Sequence, residues 1–132
     1  MCGRSFGGMP NDRRRRIGAA GEQFAADHLT RRGLQILERN YRTRWGELDI
    51  VAFDGRAIIF CEVKCRVANR AGRDPLESVH PRKRAQVRSL AGRWLRDRAD
   101  HPRVSDLRFD AIGVTVDPEG RLLRLDHIEA AF

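Results

Sequence analysis

The sequence predicts an α/β domain built from two helices and five strands. Two segments carry apolar residues at the three- and four-residue spacing of amphipathic helices, and five segments show the alternation or apolar runs of strands. The run Ala57–Cys61 is continuously apolar, which is typical of a central strand covered on both faces. A length of 132 residues suits one domain, and a hydrophobic fraction of 41% favours a folded chain.

The N-terminal segment differs in composition from the rest. Residues 1–16 lack apolar periodicity and contain three glycines, a proline and the run Arg13–Arg16. We therefore expect a flexible basic tail over 1–16 and a single domain over 17–132. Because four adjacent arginines oppose the dipole at a helix N-terminus, the first helix is expected to begin after them, at Ile17.

The first helix is predicted over residues 17–32, and Gly33 is a typical stop residue. Its apolar stripe is formed by Ile17, Ala20, Gly21, Phe24, Ala25, His28 and Leu29. Glu22 lies at the border of that stripe, because apolar residues follow it by three, four and seven positions. A solvated glutamate on the helix surface is the alternative interpretation.

The remaining elements follow from strand runs and turn residues. The expected order is strand 34–41, strand 46–53, strand 56–66, a loop over 67–76, helix 81–99, strand 107–116 and strand 121–127. Asp54-Gly55 is a strong hairpin signal between the second and third strands. Pro81 suits the first turn of the second helix. The stripe of that helix is formed by Val87, Leu90, Ala91, Trp94 and Leu95.

The charge of the chain is strongly regional. The formal net charge is +8 and the pI is about 10.8, which indicates nucleic acid as a partner, with an anionic membrane surface as the weaker option. Residues 1–16 contain five basic side chains and one acidic, and residues 82–98 contain seven and one. The rest of the chain is therefore net negative. A compositional bias toward arginine is the alternative, since only two of the 26 basic residues are lysines.

Several function classes are disfavoured by the sequence. No apolar run approaches the ~20 residues of a membrane span, and no signal-like segment opens the chain, so we expect a cytoplasmic protein that does not bind membranes. Disulfides are not expected in that compartment. Cys61, Cys65 and His80 do not have the spacing of a zinc site.

The informative chemistry lies on the second and third strands. Glu62 and Lys64 share one face of the third strand, because side chains alternate along a strand. A turn centred on Asp54-Gly55 would place residue 49 opposite residue 60, one diagonal step from Glu62. Asp49 and Glu62 are therefore expected to lie near each other in apolar surroundings, where their charges repel.

A divalent cation is the simplest way to offset that repulsion. Mg²⁺, or Mn²⁺, takes one or two carboxylates together with water and substrate phosphate, and the carbonyl of Val63 offers a further oxygen ligand. Lys64 could orient or help deprotonate an attacking water, or stabilise charge on phosphate. An ordinary cross-strand ion pair of Lys64 with Asp49 or Glu47 is the alternative.

The ordered set of motifs resembles a known nuclease family. The matching segments are Gly18–Glu22, Leu37–Arg42, Gly46–Ile50, Phe60–Arg66 and Arg108–Asp110. A carboxylate, a hairpin and then Glu-x-Lys resemble the active-site pattern of the PD-(D/E)xK nuclease superfamily. More narrowly, the chain resembles the YraN-like family of small predicted endonucleases, which are similar to archaeal Holliday junction resolvases.

The resemblance implies a restriction-endonuclease-like α/β fold, with a mixed central β-sheet flanked by helices. It also implies that Asp49 and Glu62 bind Mg²⁺, that Lys64 is the catalytic lysine and that Glu22 completes the site. Leu48 stands where the superfamily pattern usually has proline. Glu47 and Asp110 are open. Glu47 either supports the site or pairs with Arg44 or Arg66, and Asp110 either contacts the site or only caps or pairs with Arg108.

The predicted function is therefore a metal-dependent endonuclease that acts on branched or structured DNA. The resemblance implies that its products carry 5′-phosphate and 3′-hydroxyl ends. Phosphates are expected along the second helix, which offers Arg82, Lys83, Arg84 and Arg88. Nothing resembles a base-reading motif, so we expect recognition of shape rather than sequence. The alternatives are a binding module without useful catalysis in a repair or recombination complex, and cleavage of RNA. Homodimerisation, as in the resolvases, stays open.

Overall fold

The computed structural model describes residues 11–68 and 81–132, with the side chains of 11–14 and 81–82 excepted. The described residues form α1 (Asn11–Arg31), β1 (Gln35–Thr43), β2 (Gly46–Phe53), β3 (Ala57–Val67), α2 (Pro81–Asp97), β4 (Asp106–Val116) and β5 (Leu122–Ile128). Each predicted element is present and in the predicted order. From residue 69 onward, the loop expected over 67–76 lies outside the described residues.

One mixed sheet forms the centre of the fold. Its strand order is β1-β2-β3-β4-β5, and every neighbouring pair is antiparallel except β3 with β4. The parallel pair is connected through α2, as parallel strands require a crossover. A five-stranded mixed sheet flanked by helices confirms the predicted α/β class and is consistent with a restriction-endonuclease-like fold.

Each face of the sheet packs against one helix. Residues of α1, with Ala25 and Leu29 at their centre, pack against one face. The other face packs against α2, where the Phe60 ring stacks on Phe109 and meets Trp94 edge-on, at centroid distances of 5.4 and 5.8 Å. Burial on both faces explains why β3 is continuously apolar. Neither helix in residues 11–31 and 81–97 is long and apolar enough to cross a membrane.

The first helix begins earlier than the sequence predicted. It starts at Asn11, so the predicted start at Ile17 is wrong, and residues 11–16 of the expected tail are helical. Residues 1–10 of that tail lie outside the described residues. Asn and Asp at positions 11 and 12 are types that helix N-termini prefer. Arg15 and Arg16 are exposed and lie beyond the first turn, where the helix dipole has little effect, and buried Ile17 anchors this part of the helix.

The hairpin between β2 and β3 is centred one residue later than expected. The carboxylate of Asp54 accepts hydrogen bonds from the backbone N–H groups of Arg56 and Ala57, each at 2.8 Å. This places Gly55, at φ +97°, and Arg56 at the centre of the turn. The register pairs Ile50 with Cys61, so position 49 faces position 62 and not position 60. The predicted diagonal relation is therefore wrong.

Candidate active site

The candidate site lies where β2 and β3 stop pairing. Ile50–Cys61 is the last pair of their ladder, and the next β2 residue toward the N-terminus is Asp49. The Asp49 Oδ2 atom accepts the backbone N–H of Val63 at 2.7 Å. Both Asp49 and Glu62 are buried. The end of the ladder therefore brings two carboxylates together inside the protein.

The Asp49 carboxylate is incompletely compensated. Burial raises its pKa, the neighbouring charge of Glu62 raises it further, and the hydrogen bond from Val63 opposes both effects only in part. Its Oδ1 atom is buried and has no hydrogen-bond partner among the described residues. Such an oxygen is costly unless a cation or a proton satisfies it. The site is therefore electrostatically suited to a positive ligand.

Both lysines of the chain meet at Glu62. The Nζ atoms of Lys64 and Lys83 lie 3.6 and 3.0 Å from the same Glu62 Oε1 atom. Lys64 lies two residues beyond Glu62 on β3, as predicted, whereas Lys83 reaches it from the first turns of α2. The sequence had indicated Lys83 only as a phosphate contact. The scarcity of lysine in this arginine-rich chain is the signal that could have linked the two.

Glu22 approaches from α1 and is held by a residue that sequence reasoning missed. In the amide orientation that satisfies both groups, the Asn40 side-chain nitrogen donates to both Glu22 carboxylate oxygens, at 3.0 and 3.1 Å. Burial raises the pKa of Glu22, the Asn40 hydrogen bond lowers it, and Glu47 raises it. The negative charge of Glu22 also raises the pKa of Asp49.

The position of Asn40 depends on an unusual backbone conformation. Asn40 has φ +56° and lies in β1 between the paired residues Arg39 and Tyr41, so it faces position 49 of β2. Asparagine tolerates this left-handed conformation better than most residues. Asn40 also falls inside the segment 37–42 that carried the family resemblance, which was the available signal.

The carboxylates fit a sparsely coordinated cation rather than an enclosed one. Within residues 11–68 and 81–132, no three His, Cys, Asp or Glu side chains are grouped so that they could hold a metal ion. Mg²⁺ commonly uses one or two carboxylates and keeps several waters. The Asp49–Glu62 pair, with its unsatisfied Oδ1 atom, fits that requirement.

Sequence comparison assigns the chain to a family. The model of the uncharacterised protein family UPF0102 matches residues 21–114. The chain belongs to the UPF0102, or YraN-like, family. The matched span contains all six residues of the site just described, namely Glu22, Asn40, Asp49, Glu62, Lys64 and Lys83. This confirms the resemblance that the motifs indicated.

Individual UPF0102 proteins are similar over nearly their whole length. The chain is 47% identical to a UPF0102 protein of Frankia casuarinae, over 88% of this chain and 95% of the relative. It is 41% identical to one of Pelotomaculum thermopropionicum, over 92% and 98%. It is 44% identical to one of Mycobacterium tuberculosis, over 86% and 89%. These names state the family and no activity.

The sequence did not decide the roles of Glu47 and Asp110, and the structure shows the partners of each. Glu47 pairs with Arg42, an arginine that the sequence had not indicated, with 3.2 Å between Oε2 and Nε. Asp110 receives two hydrogen bonds of 2.9 Å from Arg108, one of 3.0 Å from the Ala130 N–H, and contacts His127 Nε2 at 2.8 Å. Both carboxylates are therefore partners of an arginine, and for Asp110 that arginine is the predicted Arg108.

The residues expected to contact phosphate differ in their surroundings. Arg84 is exposed near the start of α2. Arg88 donates to the Phe132 carbonyl oxygen at 2.8 Å, and its guanidinium lies 4.5 Å from the Phe109 ring centroid. The side chain of Arg82 lies outside the described residues. Among the three whose side chains the structure describes, Lys83 is the residue that contacts Glu62 directly.

Proposed function

We propose that this UPF0102 protein is a Mg²⁺-dependent endonuclease that hydrolyses phosphodiester bonds in branched or structured DNA. The observation that carries the proposal is the buried Asp49–Glu62 pair with an unsatisfied Oδ1 atom, beside the ammonium groups of Lys64 and Lys83. Burying two like charges is unfavourable, and a cation with a phosphate ligand would relieve it.

The side chains divide into two roles in this proposal. Asp49 and Glu62 would hold the cation, which when bound supplies Lewis-acid stabilisation of the phosphoryl oxygens and lowers the pKa of the attacking water. Lys64 is 21% exposed and lies beside Glu62, so its Nζ atom can donate to a phosphate oxygen from the solvent side. Its compact ammonium group would stabilise the negative charge that develops there.

Charge at the start of α2 supports a nucleic-acid substrate. Lys83 and Arg84 are consecutive in its first turns, and that first turn contains no acidic residue. Contacts of this kind neutralise phosphates without reading bases, so binding should weaken steeply as salt increases. Shape rather than base sequence would then select the DNA.

A second candidate, a DNA-binding module without catalysis, is favoured by one observation. Glu62 is already paired with two ammonium groups, and within the described part of the chain no group of three potential ligands surrounds a metal position. In that case Lys83 and Lys64 would permanently neutralise Glu62, and the fold would serve only to present a basic surface.

A cleavage assay distinguishes the two candidates. Wild type and Asp49→Asn are incubated with single-stranded, flapped and four-way DNA, and with matched RNA, in Mg²⁺ or Mn²⁺. The endonuclease proposal expects metal-dependent cleavage of at least one DNA by wild type alone. The binding module expects no cleavage, no metal binding by calorimetry and equal DNA affinity of the two proteins. Cleavage of RNA in preference to DNA would contradict the proposed substrate.

A further inference from the structure

An exposed tryptophan lies at the tip of the β1–β2 hairpin. Trp45 is 51% exposed and follows Arg44 in the turn between Thr43 and Gly46. The guanidinium groups of Arg44 and Arg93 lie 4.5 and 3.8 Å from the Trp45 ring centroid. Neither guanidinium is ion-paired with a carboxylate among the described residues. An exposed aromatic ring that two guanidinium groups contact is the chemistry of a site for a base and its phosphate.

Two hydrogen bonds hold the backbone of Trp45 in place. Gln86 of α2 donates its side-chain N–H to the Trp45 carbonyl oxygen at 2.9 Å, and Thr43 Oγ1 accepts the Trp45 N–H at 3.0 Å. Gly46 has φ +140°, and a Cβ atom there would lie 2.5 Å from the Gln86 Nε2 atom. The hairpin tip is therefore in close contact with α2, and the backbone that carries the ring is already ordered.

The second helix connects this ring with the candidate active site. Lys83, which contacts Glu62, and Gln86, which contacts Trp45, are three residues apart on α2. Residues at that spacing are neighbours on a helix surface, about 5–6 Å apart. Arg93, over the Trp45 ring, lies seven residues after Gln86 and so on the same side of the helix. A nucleic-acid strand can therefore reach both the ring and the carboxylates.

The present partners of the ring are weaker than a base would be. A cation over an aromatic ring at an exposed site contributes a factor of about 2 to 5 to an equilibrium constant. A nucleobase stacked on an aromatic side chain contributes a factor of about 5 to 150 to the binding constant. A base can therefore displace the exposed Arg44 from the ring, and the released guanidinium can bind the adjoining phosphate.

We propose that Trp45 is a stacking platform for an unpaired base of the DNA substrate, with Arg44 and Arg93 as its phosphate and base contacts. Bases within a continuous duplex are not available to the ring, so the platform would select flapped, frayed or branched DNA. This inference rests on the proposed function for its link to cleavage. The stacking itself is a binding property that can be measured alone.

The test measures binding in EDTA, where cleavage cannot interfere. The probes are an oligo-dT strand, a strand of abasic sites with the same number of phosphates, and a blunt duplex hairpin. Trp45→Ala should lower the affinity for oligo-dT about 5- to 150-fold while changing little for the abasic strand and the duplex. Trp45→Phe, which keeps a ring, should retain most of the affinity. Leu123→Ala, which removes another exposed apolar side chain, is the matched control and should behave as wild type.

Fluorescence provides a readout on the wild-type protein. The chain has two tryptophans, and Trp94 is only 2% exposed, so quenching by oligo-dT that the abasic strand does not cause reports stacking on Trp45. Equal loss of affinity for all three probes in Trp45→Ala, or equal quenching by the abasic strand, would overturn the platform.

The two proposals fail in different ways. A wild-type protein that cleaves no DNA but binds oligo-dT through Trp45 contradicts the endonuclease and supports the platform. A protein that cleaves flapped DNA, and whose Trp45→Ala variant binds oligo-dT as tightly as wild type, overturns the platform and leaves the endonuclease standing.

Discussion

Two aspartates of one sheet are both buried, but the pKa values of their carboxyl groups shift in opposite directions. Asp110 on β4 is 0% exposed and is surrounded by donors from Arg108, His127 and the Ala130 backbone. Burial alone would raise its pKa, but the hydrogen bonds from His127, Arg108 and Ala130 outweigh burial and lower it. Asp49 on β2 is 2% exposed, and its pKa is raised by burial and by Glu62.

The contrast separates a structural carboxylate from a candidate catalytic one. The charge of Asp110 is satisfied within the fold, so it stabilises the native state. Asp49 has one hydrogen-bond donor, the Val63 N–H, which is not enough to satisfy its carboxylate. The Oδ1 atom of Asp49 lacks a hydrogen-bond partner in the part of the chain that the structure describes. Asp49 therefore destabilises the protein in the absence of a bound cation, a cost typical of functional sites.

The largest expected effect is on cleavage by Asp49→Asn. Asparagine keeps the shape of the side chain but not the charge that would hold Mg²⁺. Because the metal ion would stabilise the transition state by several kcal/mol, single-turnover cleavage should fall about 10³-fold or more. In EDTA the same variant should unfold at the wild-type temperature or above, because the repulsion with Glu62 is gone. Retained cleavage, or a large drop in the unfolding temperature, would show that Asp49 is a structural carboxylate like Asp110.

The opposite result is expected for Asp110→Asn. Removing the charge leaves Arg108 and His127 without their anionic partner, which should lower the free energy of unfolding by about 3 kcal/mol in urea titrations. This cost lies at the lower end of the range for buried ion pairs because Arg108 is partly exposed. The folded variant should cleave at the wild-type rate. The control is Asp126→Asn, which breaks an exposed pair with Arg124 and should cost less than about 1 kcal/mol.

The two lysines on Glu62 sharpen the comparison within the candidate site. Lys64→Ala should lower cleavage about 100-fold at saturating DNA, with DNA affinity nearly unchanged, because Lys64 would act on the reacting phosphate. Lys83→Ala should instead weaken DNA binding and lower the salt slope by about 1, with a smaller effect on cleavage. Filter-binding across a salt series and single-turnover rates measure both. Interchanged phenotypes would reverse the two roles.

Glu22→Gln is expected to have a moderate effect. Glu22 lies beside Asp49 and is bound by Asn40, so its loss should weaken Mg²⁺ affinity about 10-fold without abolishing cleavage. Asn40→Ala, which leaves Glu22 without that donor, should move metal affinity in the same direction. Calorimetric titration with Mg²⁺ measures both variants. An unchanged metal response in both would make the Glu22–Asn40 pair purely structural.

The smallest effect is expected in the acid dependence of stability. The pKa of Asp110 is lower in the folded protein than its unfolded value of about 3.9, so its stabilisation is present above that pH and is lost as pH falls through the folded value. The difference in unfolding free energy between wild type and Asp110→Asn should therefore narrow as the pH falls below the unfolded value and through the lower, folded value of the Asp110 pKa. A difference independent of pH would show that charge is not the origin of the stabilisation.

Much of the candidate site could be predicted because its core residues are close in sequence. Glu62 and Lys64 are two positions apart on one strand, and Asp49 is on the strand that the hairpin joins to it. The alternation of side chains then places them together in any similar register. Even so, the predicted centre of the hairpin was one residue too early. The Asp54 side chain accepts hydrogen bonds from the N–H groups of Arg56 and Ala57, and this places the centre at Gly55 and Arg56 instead of Asp54 and Gly55.

Contacts between distant segments could not be predicted in this way. A helix that packs on the sheet brings together three such pairs, namely Glu22 with Asn40, Lys83 with Glu62, and Gln86 with Trp45. Sequence periodicity gives the buried face of a helix but not its position along the strands that it covers. The pairing of Asp110 with His127 likewise depends on the β4–β5 register.

The sequence by itself therefore determined the order of helices and strands, the covered central strand and the carboxylate–hairpin–Glu-x-Lys arrangement. These follow from periods of 2 and 3.6 residues and from turn residues, which are local properties of the chain. The tertiary structure decided which buried aspartate is satisfied and which is not. That difference comes from neighbours far apart in sequence, and the free energy of a buried charge depends on those neighbours rather than on the residue itself.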